Sequence, residues 1–289
     1  MPQTVPDVGW HKLFEAKRPG RRFALDSPAQ SGQGQCVTVA SQKGGVGKTT
    51  TVVNLAAGFG LAGQKALLID LDPQANATSG VGEEKLEGDA GGEGFEFLRS
   101  LGGKTATFLA RVRETQFENL WICPSFDELS SLEMVQMFQR NYISEWKHVV
   151  AALRERFDLI IIDCPPSLGG LPNLALSASD RVIIPVQCEY YAMEGLSQIL
   201  PVIEELGSQN PGLEIGGLLL TMYSSELELS RDVAREIRQY FPGLVFDATI
   251  PRDVTLAESS SHGVPALYYD FYARGAWSYL NLTKEVLRR

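Results

Sequence analysis

Ser41-Gln-Lys-Gly-Gly-Val-Gly-Lys-Thr-Thr50 decides how the rest of this 289-residue chain is read. The apolar run at residues 36–40 before it has the composition of a buried strand. Residues 49–61 behind it have helical character, and Gly63 stands where a helix would close. A glycine-rich loop between strand and helix is a phosphate cradle. Gly44, Gly45 and Gly47 let the backbone of this loop curl, and Val46 and Thr50 complete it. Successive N–H groups then point inward, and the helix N-terminus adds its partial positive charge. Lys48 sets a cation against β- and γ-phosphates, and Thr49 offers a hydroxyl to Mg2+. The loop departs from the ordinary pattern at Gln42, where the first glycine of G-x-x-x-x-G-K-[ST] would stand, and a second lysine, Lys43, follows it. Lys43 is too early in the loop to duplicate Lys48. It is expected to reach a phosphate of a neighbouring subunit and neutralise transition-state charge, as an arginine finger does.

On either side of this loop the chain alternates. Apolar, strand-like runs fall at residues 66–71, 120–123, 159–163, 181–186, 215–222 and 244–250, with helical stretches such as 149–156 between them. Near-continuous apolar strands separated by helices predict a doubly wound α/β fold, a mostly parallel sheet with helices on both faces. In such sheets the ligand sits beyond the carboxyl ends of the strands. Two units are expected: a basic, flexible extension at residues 1–34 and one ATPase domain at 35–289. In the extension Lys12, Lys17, Arg18, Arg21 and Arg22 outnumber Asp7, Glu15 and Asp26, and Ser31-Gly-Gln-Gly34 reads as a link. The Gly- and Glu-rich stretch 80–94 reads as a mobile surface loop.

A net charge of −9 argues against a protein that coats DNA with its whole surface, but leaves room for a local basic patch. No run of apolar residues is long enough to span a membrane, and residues 1–10 lack the apolar core of a signal peptide. A cytoplasmic protein is expected. The four cysteines, Cys36, Cys123, Cys164 and Cys188, never form C-x-x-C and lie in or beside apolar runs, so disulfides and zinc are poor readings.

Five segments together resemble the ParA/Soj family of deviant Walker A ATPases. Lys43-Gly-Gly-Val-Gly-Lys-Thr49 resembles their phosphate loop. Asp70-Leu-Asp-Pro-Gln-Ala-Asn-Ala-Thr-Ser-Gly80 resembles the Walker A′ switch, and Phe157-Asp-Leu-Ile-Ile-Ile-Asp-Cys-Pro-Pro-Ser167 the Walker B strand. Pro185-Val-Gln-Cys-Glu-Tyr-Tyr-Ala-Met-Glu-Gly-Leu196 and Ile250-Pro-Arg-Asp-Val254 fit the same branch. The resemblance implies a slow, partner-stimulated ATPase that uses Mg2+, with ATP as substrate, and forms an ATP-dependent homodimer. It implies that Asp72 orients the attacking water and that Thr49 and Asp163 serve the metal with Asp70 behind them. Met222, Pro251, Arg252 and Asp253 fall where the family holds the adenine. An unpaired carboxylate at the end of a buried strand is costly, which supports a metal-linked role for Asp163.

Three cellular roles follow from the resemblance. The leading one is non-specific DNA binding that partitions a chromosome or plasmid, or positions other cargo, with a ParB-like partner and nucleoid association. The second is a MinD-like switch on a membrane or protein scaffold. The third is a metabolic ATP-dependent enzyme of the same fold. For the first, Glu226 and Thr255 stand where the family carries DNA-contacting cations, which weakens phosphate binding. Arg231, Arg235 and Arg238 share a helical face and could compensate, or could be a solvated face with Asp232 pairing to Arg235.

Overall fold

The computed structural model describes residues 34–86, 108–126, 129, 140–167, 169–207 and 209–289. Its frame is an eight-stranded sheet in the order β3-β4-β2-β5-β1-β6-β7-β8. The strands are β1 (Gln35–Val39), β2 (Ala66–Asp70), β3 (Arg113–Glu114), β4 (Leu120–Cys123), β5 (Leu159–Asp163), β6 (Arg181–Gln187), β7 (Glu214–Tyr223) and β8 (Val245–Pro251). All neighbours run parallel except β3, which pairs antiparallel with β4 at the edge. The central strands β2 and β5 are buried along their whole length, as their unbroken apolar sequences require when helices cover both faces.

The helices are α1 (Lys48–Leu61), α2 (Asn76–Gly80), α3 (Arg140–Arg154), α4 (Gly170–Ser177), α5 (Ala192–Gly207), α6 (Glu228–Tyr240), α7 (Val254–Ser261), α8 (Ala266–Tyr269) and α9 (Arg274–Arg288). One face of the sheet packs with Leu55 and Phe59 of α1 and with Tyr279 and Leu282 of α9. Beneath the other lie Trp146 and Leu153 of α3, Leu174 of α4, Leu196 of α5 and Ile237 of α6. Burial of these side chains is the main force holding the layers together.

Three boundaries differ from the sequence reading. The helix expected at 149–156 starts at Arg140 and ends at Arg154. Its buried residues Trp146, Val149, Val150 and Leu153 follow the i, i+3, i+4, i+7 spacing of one apolar face, which the polar residues between them obscure. The stretch expected to be a mobile loop begins instead with order: Gly80 and Val81 are buried, and Leu86 bridges to Phe126. Its remainder, and residues 1–33 of the extension, lie outside the described residues. Gly34, read as the end of a flexible link, belongs to the domain. Its N–H donates to the Arg154 carbonyl, and a Cβ here would lie 1.8 Å from the Phe157 carbonyl oxygen.

Candidate nucleotide site at the end of the first strand

The strand order reverses beside β1. From β1 the chain goes to β2 on one side, and later crosses from β5 to β6 on the other, opening a crevice at the carboxyl end of β1. The phosphate loop fills this position. Gly47, the residue before α1, is left-handed at φ 89°, which a glycine adopts without steric cost. The space above Gly44 and Gly45 is open, since a Cβ on either would meet nothing within 4 Å. Thr221 Oγ1 donates to the Val46 carbonyl at 2.9 Å and ties the loop to β7. Lys48 is buried, and its Nζ donates across the loop to the Lys43 carbonyl at 3.0 Å. Burial lowers its pKa, while Asp163 and Asp72 pull it back up.

Three aspartates gather beside this lysine. Thr49 Oγ1 donates to Asp163 Oδ2 at 2.8 Å, whereas Asp163 Oδ1 is buried with no hydrogen-bond partner. Burial pushes the Asp163 carboxyl well above the usual range, and Asp70 and Asp72 add repulsion. Asp70 is used differently. Its Oδ1 accepts from the Asp72 N–H at 3.0 Å, and its Oδ2 accepts from the Thr78 N–H and hydroxyl at 2.8 and 2.6 Å. Burial raises it to about 6 despite those bonds. Asp72 Oδ1 accepts from the Gln74 N–H at 2.9 Å, and the Asp72 carbonyl accepts from Ser125 Oγ at 2.6 Å.

Among the described residues no three His, Cys, Asp or Glu side chains converge as a metal cage. A hydroxyl beside one orphaned carboxylate oxygen is instead a hard, sparse donor set. It suits Mg2+, which keeps most of its waters and binds through one or two carboxylates plus phosphate oxygens. The residues present therefore fit a Mg-nucleotide.

A cavity of about 510 Å³ opens next to the loop, lined by Gly47, Thr50, Met222, Pro251, Arg252 and Asp253 among others. Its size is that of a small-ligand pocket. Asp253 caps α7 by accepting from the Thr255 N–H, which fixes the turn that forms one wall. Met222 is left-handed at φ 50°, an uncommon backbone for a side chain of this size.

Lys43 lies early in the phosphate loop, its Nζ 3.7 Å from Glu189 Oε2. Arg252 Nη2 lies 2.8 Å from Oε1 of the same carboxylate. Tyr190 and Tyr191 follow, exposed and stacked edge to face at 5.1 Å. The arginine face lies apart on α6. Arg231 donates to the Ser225 carbonyl, Arg235 pairs with Asp232 at 2.8 Å, and Arg238 reaches the Phe246 carbonyl at 3.5 Å. Glu226 is exposed in the preceding loop. Ser125, Thr78 and Glu189 were not singled out from the sequence. Thr78 and Glu189 lie inside quoted motifs, but Ser125 follows β4 and carries no motif signal.

Strand, curled loop, Lys48-Thr49 and the aspartate ending the neighbouring strand define a P-loop nucleotide-binding protein of the α/β class. The chain belongs to the ParA/Soj family of P-loop ATPases. A family model described as an AAA domain matches residues 34–215. The chain is 43% identical over 256 residues to the sporulation initiation inhibitor protein Soj of Bacillus subtilis, covering 88% of this chain and 98% of that one. It is 40% identical over 259 residues to the chromosome partitioning protein ParA of Myxococcus xanthus, covering 89% of each. Among solved structures, cobyrinic acid a,c-diamide synthase from Mycobacterium smegmatis with bound ATP analog and magnesium is similar, with a TM-score of 0.67 at 32% identity over 82% of this chain and 93% of that one. No helix among the described residues is long and apolar enough to cross a membrane.

Proposed function

We propose that this chain is a Mg2+-dependent ATPase that forms an ATP-dependent homodimer, binds DNA without sequence preference and partitions a chromosome, a plasmid or other cargo with a ParB-like partner. The observation that carries the ATPase is the buried, unpartnered Asp163 Oδ1 beside Thr49 at the end of the phosphate loop. The curled backbone at Gly44, Gly45 and Gly47 cradles the phosphates of ATP, and Lys48 neutralises the β- and γ-oxygens. Thr49 and Asp163 hold Mg2+, directly or through water, and Asp70 stands behind them. Bound Mg2+ supplies positive charge to the β- and γ-phosphate oxygens as negative charge develops there. Asp72 orients the attacking water. Met222, Pro251, Arg252 and Asp253 hold the base. Lys43 serves the partner subunit's nucleotide.

The DNA role rests on the relatives named for chromosome partitioning and on the exposed α6 arginines, two copies of which would meet one duplex in a dimer. A second reading, a switch on a protein scaffold, is favoured by Glu226 and by the intramolecular partners of Arg231 and Arg235. A membrane switch is less supported, because the apolar face of α9 packs through Leu282 and Val286 into the core. The test is co-sedimentation of the full chain with DNA and with anionic liposomes, each with ATP and with ADP. ATP-dependent pelleting with DNA alone is expected. Pelleting with neither would leave the scaffold reading.

A further inference from the structure

A water-orienting carboxylate needs a fixed backbone beneath it, and the segment that carries Asp72 is short and irregular. It leaves β2 at Asp70, turns through Ala75 in the left-handed conformation at φ 56°, and only then enters the one-turn helix α2. Its own residues hold it in part, the Ala75 N–H donating to the Asp72 carbonyl and the Gln74 N–H to Asp72 Oδ1, each at 2.9 Å, but Ala75 is not a residue that favours positive φ.

Further support comes from a strand distant in sequence. The β2–β4 register pairs Ile69 with Cys123, so the two chains leave the sheet side by side. Two residues past Cys123, Ser125 is fully buried. Its Oγ donates to the Asp72 carbonyl at 2.6 Å, and its N–H donates to Thr78 Oγ1 at 3.0 Å. Thr78 in turn donates that hydroxyl proton to Asp70 at 2.6 Å. Asp70 closes the circuit by accepting from the Asp72 N–H. Ser125 thus grips both ends of the turn: the peptide carbonyl of Asp72 directly, and its N–H through Thr78 and Asp70. Its own carbonyl accepts from the Leu86 N–H at 2.9 Å, so its N–H, carbonyl and hydroxyl are all engaged.

We propose that Ser125 is a positioning residue that, together with Thr78 and Asp70, fixes the peptide of Asp72 and so the direction of its carboxylate. Asp70 in this arrangement is an anchor of the turn. The inference rests on the reading of Asp72 as the water-orienting group.

Ser125→Ala deletes one oxygen and leaves the packing volume nearly unchanged. In the full chain it should bind MgATP within about two-fold of wild type, with a similar thermal midpoint, while kcat for hydrolysis falls about 10- to 100-fold, as small misplacements of reacting groups do. A double-mutant cycle separates positioning from general loosening. On an Asp72→Asn background the same substitution should change the residual rate by less than about two-fold, because there is no carboxylate left to aim. Thr78→Ser, which keeps the hydroxyl, should hold its rate, and Thr78→Val should lose it. Wild-type kcat in Ser125→Ala beside a slow Asp72→Asn would overturn the proposal alone. So would an equal drop on both backgrounds. Wild-type turnover in Asp72→Asn is a different result, and would remove the role of Asp72 itself.

Discussion

Two ends of one molecule follow opposite rules. At the end of β1 the polar groups are buried, and each hydrogen bond fixes another: Thr49 on Asp163, Asp70 on Thr78, Ser125 on Asp72. At the β7–α6 corner the charges face solvent, where Arg235 holds Asp232 and Glu226 stands exposed. Desolvation explains the contrast. A buried donor or acceptor left alone costs about 1–3 kcal/mol, so the buried end admits one arrangement. An exposed ion pair contributes about 0–1 kcal/mol, so the corner can exchange partners cheaply.

Substitutions at the two ends should differ accordingly. Lys48→Ala removes the buried cation from the phosphate cradle, and MgATP affinity should fall about 100-fold or more, with turnover lost; titration calorimetry and phosphate release measure both. Lys43→Ala should bind ATP nearly as wild type yet hydrolyse about 10³-fold more slowly and dimerise poorly, as loss of a finger from a neighbouring subunit would. Mixing Lys43→Ala with Asp72→Ala subunits should restore part of the activity, because one site of the heterodimer then has both groups. No recovery at any ratio would place Lys43 in its own subunit's site. Asp72→Ala alone should still bind ATP, hydrolyse about 100-fold more slowly and accumulate as a dimer by light scattering.

At the corner the effects shrink to changes of slope. Glu226→Arg should strengthen DNA binding and steepen the dependence of log affinity on log salt by about 0.9 per phosphate newly neutralised. Arg235→Glu should weaken binding and flatten that slope. Both are best measured on the Asp72→Ala background with ATP, where the dimer is expected to accumulate. If neither changes the slope, α6 is not the face that meets DNA.

The same contrast explains what the sequence made legible. Gly44-Gly-Val-Gly47, Lys48 and Thr49 announce their geometry because curling a backbone around phosphate demands those residues in that order. Asp163 announces itself as a carboxylate ending an apolar strand. The parallel sheet follows from strands such as Leu159-Ile-Ile-Ile-Asp163, which only two covered faces explain. Ser125 was invisible, since it reaches Asp72 through sheet register between segments 53 residues apart, and a lone serine after a strand has no pattern. Glu189 was hidden for the opposite reason. It lies in a recognisable motif, but its partners Lys43 and Arg252 come from the ends of other strands. The start of α3 was missed because propensity and polarity around residues 140–148 obscure the apolar face that tertiary packing selects.

Glu189 also sets a scale for how freely Lys43 moves. The lysine and the carboxylate are each about four-tenths exposed, at 41% and 42%, and their separation of 3.7 Å is long for an ion pair. Screened by water, such a contact is worth about 1 kcal/mol at most, a bias of no more than about five-fold in occupancy. Lys43 is therefore off its carboxylate for an appreciable fraction of the time. Arg252, at 2.8 Å, keeps Glu189 compensated whenever the lysine leaves. Departure thus strands no charge, and exposed side chains of this kind exchange rotamers within nanoseconds. If Lys43 serves a phosphate across a dimer, as proposed, its waiting time would be set by how often two molecules meet, and so by protein concentration, while the loop would add almost no delay.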